Sequence, residues 1–246
     1  MMKPPTIILP VLLISANSLF SQSGTTAVSM GQEFAEIAAH GGLSGKGFAA
    51  FQSYSSNQVD GSQFFFPEWS TGEVVTIRKE VYNEGLQFIY DKVRQELFVR
   101  SKDSSLVLLT NKDEIQSFSL RDANNKQYNF VNSKLFTDEN PKVFYQVLMY
   151  DSAGISLFKY TKTTFVKADM TDMLKVKDGY VNDAYVDKHI YYITKAGVLS
   201  QPFLLKSKSL KKAFQQLQVD PEKFMNEHPG MMDESYLVDL VKSLNK

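Results

Sequence analysis

The chain has 246 residues, with 27 Lys+Arg balanced by 27 Asp+Glu, and no cysteine. A balanced charge argues against a general nucleic-acid binder, which needs a basic surplus to displace counterions. Without cysteine there are no disulfides, thiolate zinc sites, thiol catalysis or lipid anchoring through sulfur, while 18 Phe and 12 Tyr supply apolar surface for a sizeable core.

The chain opens Met1-Met2-Lys3, and Lys3 is the only charge before Glu33. The apolar run Ile7 to Ile14 is well short of the ~20 residues that span a bilayer, and small polar residues follow it. This pattern predicts a secretory signal peptide over residues 1–21, cut after Ser21. Leu19 suits the cleavage site poorly, and the alternative is an uncleaved anchor, which Pro10 and the polar tail oppose. No later segment approaches membrane length, so no stable transmembrane segment is expected in the mature chain.

Residues 22–60 are rich in Ser, Gly, Ala and Gln and read as an arm or linker. Within them, His40 to Gly47 resembles a phosphate-binding loop but fails its spacing. A glycine belongs where His40 stands, and a hydroxyl where Gly47 stands.

From Gly61 the composition changes. Phe64-Phe65-Phe66-Pro67-Glu68-Trp69 concentrates aromatics, and β-prone runs then recur between polar turns. They are Glu73–Arg78, Leu86–Tyr90, Glu96–Arg100, Leu106–Leu109, Ile115–Leu120 and Tyr128–Val131. Val143–Tyr150 is apolar on both alternating faces, as in a strand covered on each side. Ile155–Tyr160, Tyr185–Thr194 and Val198–Leu205 complete the series, with Pro202 placing the last at an edge. The tail then changes period. Leu210, Phe214 and Leu217 share one helical face, Asp220-Pro221-Glu222 is a helix start, and Leu237, Leu240, Val241 and Leu244 form a second stripe capped by Asp233. The expected fold is α+β, mainly β: an antiparallel meandering sheet, as a sandwich or partly open barrel, over residues 61–205. A C-terminal helical hairpin over residues 206–246 packs on it.

Candidate chemistry is sparse. The three His (His40, His189, His228) stand at no ligand-like spacing, and no Gly-x-Ser-x-Gly motif supports a Ser-His-Asp hydrolase. No catalytic residue, metal site or cofactor is therefore expected. Asp169, Asp172, Asp178, Asp183 and Asp187 crowd one region and could pair for glycoside hydrolysis or bind Ca²⁺. Interspersed lysines and the missing Asp-x-Asp-x-Asp-Gly pattern favour solvated loops instead. Trp69 with Phe64, Phe65 and Phe66, or Tyr191 or Tyr192, could stack on a sugar; the competing reading is a core plug. The basic run Lys206 to Lys212 reads as the solvated side of a helix. The ligand-binding candidates are Trp69, Phe66, Tyr191, Asp169 and Asp172.

From Gly61 onward the order of features resembles a group of uncharacterised secreted proteins of Bacteroidetes-type bacteria. The resemblance is carried by Glu68-Trp69-Ser70-Thr71-Gly72, Leu86-Gln87-Phe88-Ile89-Tyr90-Asp91, Val143 to Leu148 with Leu157 to Tyr160, and Tyr191-Tyr192-Ile193 before Leu205-Lys206-Ser207-Lys208. It implies export and a β-rich fold with a helical end, and it brings no catalytic residue. The expected function is that of an exported, non-catalytic protein of the cell envelope, acting by binding or structural association. Such a protein would be periplasmic or extracellular, or peripheral to the outer membrane, with an envelope protein or a glycan as partner. The alternative is a carbohydrate-binding module or hydrolase using Trp69 and the clustered Asp residues.

Overall fold

The computed structural model describes residues 59–102, 107–137, 142–168 and 182–246. Twelve strands are described: β1 (Val59–Asp60), β2 (Gly72–Thr76), β3 (Val81–Tyr82), β4 (Leu86–Asp91), β5 (Glu96–Ser101), β6 (Val107–Leu109), β7 (Ile115–Arg121), β8 (Gln127–Asn132), β9 (Phe144–Met149), β10 (Ile155–Val166), β11 (Asp183–Lys195) and β12 (Val198–Leu199). Three helices follow: α1 (Ser207–Gln216), α2 (Glu222–Glu227) and α3 (Glu234–Leu244). Leader and arm, apart from Val59 and Asp60, lie outside the described residues.

Nine strands form one sheet in the order β1-β11-β10-β9-β8-β7-β2-β3, with β12 paired to β11 off that path, and β4-β5-β6 form a separate three-stranded sheet. Strands β7 to β11 are sequential antiparallel neighbours, the expected meander. The large sheet does not close into a barrel. The fold is mainly β with C-terminal helices, as the periodicities indicate.

One row of cross-strand neighbours explains the layering. Val74, Phe118, Phe130, Gln146, Lys159 and Tyr191 are successive register partners from β2 to β11, so they share one face. Over the β2-β7-β8 end sits the small sheet, whose Leu86, Phe88, Tyr90, Leu97 and Val99 join Phe118 and Phe130 in one core. Over the β10-β11 end sit the helices, which bury Leu210, Phe214, Leu237 and Leu240 against Leu157, Tyr191 and Ile193. The small sheet and the three helices therefore cover the same face. Between them, Gln146 and Lys159 mark a polar seam.

Local chemistry accounts for the element ends. Ala196 and Gly197 both adopt left-handed φ (50° and 79°), the pairing a two-residue β11–β12 hairpin requires. Asp233 Oδ1 accepts from the Tyr236 amide at 2.8 Å and caps α3, and Asp220 Oδ1 accepts from the Glu222 amide at 2.9 Å at the start of α2. Gly72 lies against the backbone carbonyl of Ser119, an approach that leaves no room for a Cβ. β10 runs on past Tyr160 to Val166, paired throughout with β11. Thr161, Thr163 and Thr164 lack an apolar alternation yet favour the extended backbone. Beyond β12, the expected strand to Leu205 reduces to one bridge, Phe203 with Tyr191.

Candidate ligand-binding face

The aromatic segment before β2 is a plug. Phe64 and Trp69 pack on the outer side of the small sheet against Ile89 and Phe98. Phe65 and Phe66 turn the other way, with ring centroids 5.4 Å from Tyr128 in edge-on contacts. The Arg100 guanidinium lies 4.4 Å from the Trp69 ring centroid and is itself held by Gln87, whose Oε1 accepts from Nε at 3.0 Å. Trp69 and Phe66 thus sit on different packing surfaces, and one face of the indole already carries a cation.

Tyr191 is 2% exposed and lies beneath the helices, so its ring offers no stacking platform. Its hydroxyl donates to Glu234 Oε2 at 3.3 Å, and Lys159 Nζ reaches the same oxygen at 2.8 Å. Burial and then the Glu234 charge push the phenol well above its ordinary value. Asp169 and Asp172, with Asp178, lie outside the described residues. The other two clustered acids have structural roles. Asp183 Oδ1 accepts from the Ala168 amide at 2.7 Å. Asp187 takes Lys92 at 2.6 Å and Thr163 at 2.6 Å, tying the β4–β5 turn to the β10–β11 hairpin. Burial pushes its carboxyl upward, but the Lys92 and Thr163 hydrogen bonds and the Lys92 charge outweigh that and leave it lowered. Among the described residues no group of three or more His, Asp or Glu could hold a metal ion.

An imidazole does stand beside a hydroxyl: His189 Nδ1 is 3.1 Å from Thr161 Oγ1. They are direct cross-strand partners at an exposed edge of the seam, and neither lines a described cavity. Burial, then the Lys159 charge, lowers the His189 pKa, against the pull of Asp187 and Glu234, with Lys92 adding to the lowering. The unfolded imidazole, near ~6.5, therefore binds its proton first as pH falls. His189 contributes stability above that value, which is lost as pH drops through the folded pKa. In urea titrations at pH 7.5 and 5, we expect stability to fall more for the wild type than for His189→Gln. Equal losses would contradict this. Comparing the two chains cancels Asp91 and Glu96, whose carboxyls burial pushes up in both.

The opposite face of the large sheet is closed around β9 and β10, where Val143, Tyr145 and Phe158 are buried in a cluster of their own, and open only toward β2, β7 and β8. A second row, Glu73, Ser119, Asn129, Val147, Phe158 and Tyr192, crosses it strand by strand, beside a row of Val75, Ser117, Val131 and Tyr145. Of the described elements outside the sheet, only the 3-10 turn Ser133–Leu135 borders this side. Phe136, just past the turn, packs on Phe158 with ring centroids 4.9 Å apart. What remains is a groove of about 440 Å³ over β2, β7, β8 and β9. Leu135 and Tyr150, 50% and 71% exposed, stand at its rim. Its polar groups are hydroxyls and amides, and Glu73 is its one charged lining residue among those described. A larger hollow of about 650 Å³ between α2 and α3 mixes Lys223, Lys242 and Lys246 with Asp220, Glu227 and Asp239, so its charges neutralise one another.

No protein-family model matches this chain, and no curated protein or solved structure matches it. The alternation at Ser117, Ser119 and Asn129 is visible in the sequence, but it reads there as an ordinary wet face. Only the layering distinguishes a groove from such a face.

Proposed function

We propose that this is an exported, non-catalytic protein of the cell envelope that works by binding a ligand or partner through the open face of its large sheet. The observation that carries the reading is the asymmetry of that sheet. The small sheet and all three described helices pack on one face, and the other retains a groove edged by exposed Leu135 and Tyr150. Asp183, Asp187, Asp233 and His189 are engaged in hairpin ties, a helix cap and the seam. The short apolar run after Lys3 supports export, as does the likeness in landmark order to secreted β-rich proteins. Among the described residues no helix is long and apolar enough to cross a membrane.

Fractionation of cells producing the full chain, with mass analysis of its N-terminus, tests the location. The expected result is recovery outside the inner membrane with residues 1–21 removed. Recovery in the cytoplasm with the leader intact would overturn export. Turnover in an unbiased hydrolase screen, abolished by His189→Gln, would overturn the non-catalytic reading.

A further inference from the structure

We infer that the occupant of the open face is a neutral oligosaccharide, bound across β2, β7, β8 and β9 rather than at Trp69. This rests on the binding reading above and names its ligand class. Ser119 is only 8% exposed, lines the groove, and makes no hydrogen bond through its hydroxyl among the described contacts. Its Oγ stays open to solvent, since among the described residues Gln146 Oε1 is the buried side-chain atom left without a partner, so the hydroxyl is free to exchange water for a ligand. Ser117, two residues along the same strand, presents a second hydroxyl to the groove. Gln127 and Asn129 are linked to each other at 2.7 Å, and they keep further donor and acceptor capacity on the next strand.

The lining chemistry discriminates among ligand classes. Among the described residues no Lys, Arg or His lines the groove, and the carboxylate of Glu73 stands at one end, so phosphates, nucleic acids and acidic peptides are disfavoured. An acyl chain would cover the Ser117, Ser119 and Asn129 polar groups without pairing them. An extended peptide adds to a sheet through an edge. Here β7 and β8 are interior strands whose ladder bonds go to their neighbours. A sugar chain has hydroxyls for the polar half of the face and apolar ring faces for the rest, where Val131, Val147, Phe136 and Tyr150 lie. Three strand spacings of ~4.8 Å make the groove about 14 Å across, a length for a short oligomer rather than a single sugar.

Titration calorimetry with the purified full chain tests this against cellohexaose, xylohexaose, maltohexaose and chitohexaose, with palmitate and a mixed decapeptide pool as the other classes. The expected result is saturable binding of at least one hexaose. Ser119→Val should raise Kd about tenfold, the effect of losing one paired buried hydroxyl. Ser117→Trp should abolish binding by filling the groove, and Trp69→Ala should leave it unchanged. Melting curves check that each variant is folded. Should palmitate or the peptides bind instead, with Ser117→Trp blocking them, the sugar assignment fails and the binding face stands. If no class binds, or binding ignores the face variants and follows Trp69, both fail.

Discussion

Phe118→Ala is expected to lower the unfolding free energy by about 3–5 kcal/mol, the range for emptying a buried aromatic site. Phe118 is 3% exposed and sits where the two sheets meet. Its ring stacks on Phe130 at 4.6 Å and meets Phe144 edge-on at 5.0 Å, with Tyr90 of the small sheet 5.2 Å away. Removing it leaves a void bounded by other rings and by backbone held in ladders, which cannot collapse easily. Urea titration should show the loss as a lower midpoint with an unchanged slope. A loss below ~1.5 kcal/mol would mean that the small sheet does not close on this face as described.

Gln95→Ala carries the second large effect, through hydrogen bonds rather than volume. Gln95 is 6% exposed in the turn between β4 and β5. Its Oε1 accepts from the Tyr90 hydroxyl at 2.7 Å and from the Phe144 amide at 3.1 Å. Its Nε2 donates to the Lys92 carbonyl at 2.7 Å and the Thr161 carbonyl at 3.4 Å. One amide group thus joins the small sheet to β9 and β10. Its removal orphans several buried groups, each costing ~1–3 kcal/mol, and we expect a total of about 3 kcal/mol or more. Gln95 also holds a left-handed φ of 56°. Gln95→Gly loses the same hydrogen bonds but relieves ~1 kcal/mol of backbone strain, so it should be less destabilised than the alanine variant. Identical stabilities, or a loss under ~1 kcal/mol for Gln95→Ala, would contradict the linking role.

These two residues also mark how far the sequence can be read. Phe118 was legible: Ile115 to Leu120 alternates, and alternation places a side chain on one face whatever the topology. The same logic located the meander strands, the helix stripes and the Asp233 cap, because periodicity and capping are local. Gln95 was not legible, since a glutamine in a turn reads as solvated until distant β9 and β10 close over it. The split into two sheets was equally hidden. Leu86–Asp91 and Glu96–Ser101 resemble the meander strands in composition, and only long-range packing sets them apart. The candidate site falls between these cases. Ser117, Ser119 and Asn129 announce a polar face, but whether that face stays open depends on which side receives the small sheet and the helices. Trp69 is the lone tryptophan, and its setting beneath Arg100 beside Phe64 comes from the same non-local packing.

Because the chain has no cysteine, single thiols introduced on the two faces report directly on which one is open. Ser117→Cys on the grooved face should react with a bulky maleimide within about tenfold of the unfolded-chain rate. Val74→Cys, on the face beneath the small sheet, should be protected by about 10³ or more, released only by unfolding. Equal protection at both positions would mean that the grooved face is also closed, and the binding reading built on it would fall.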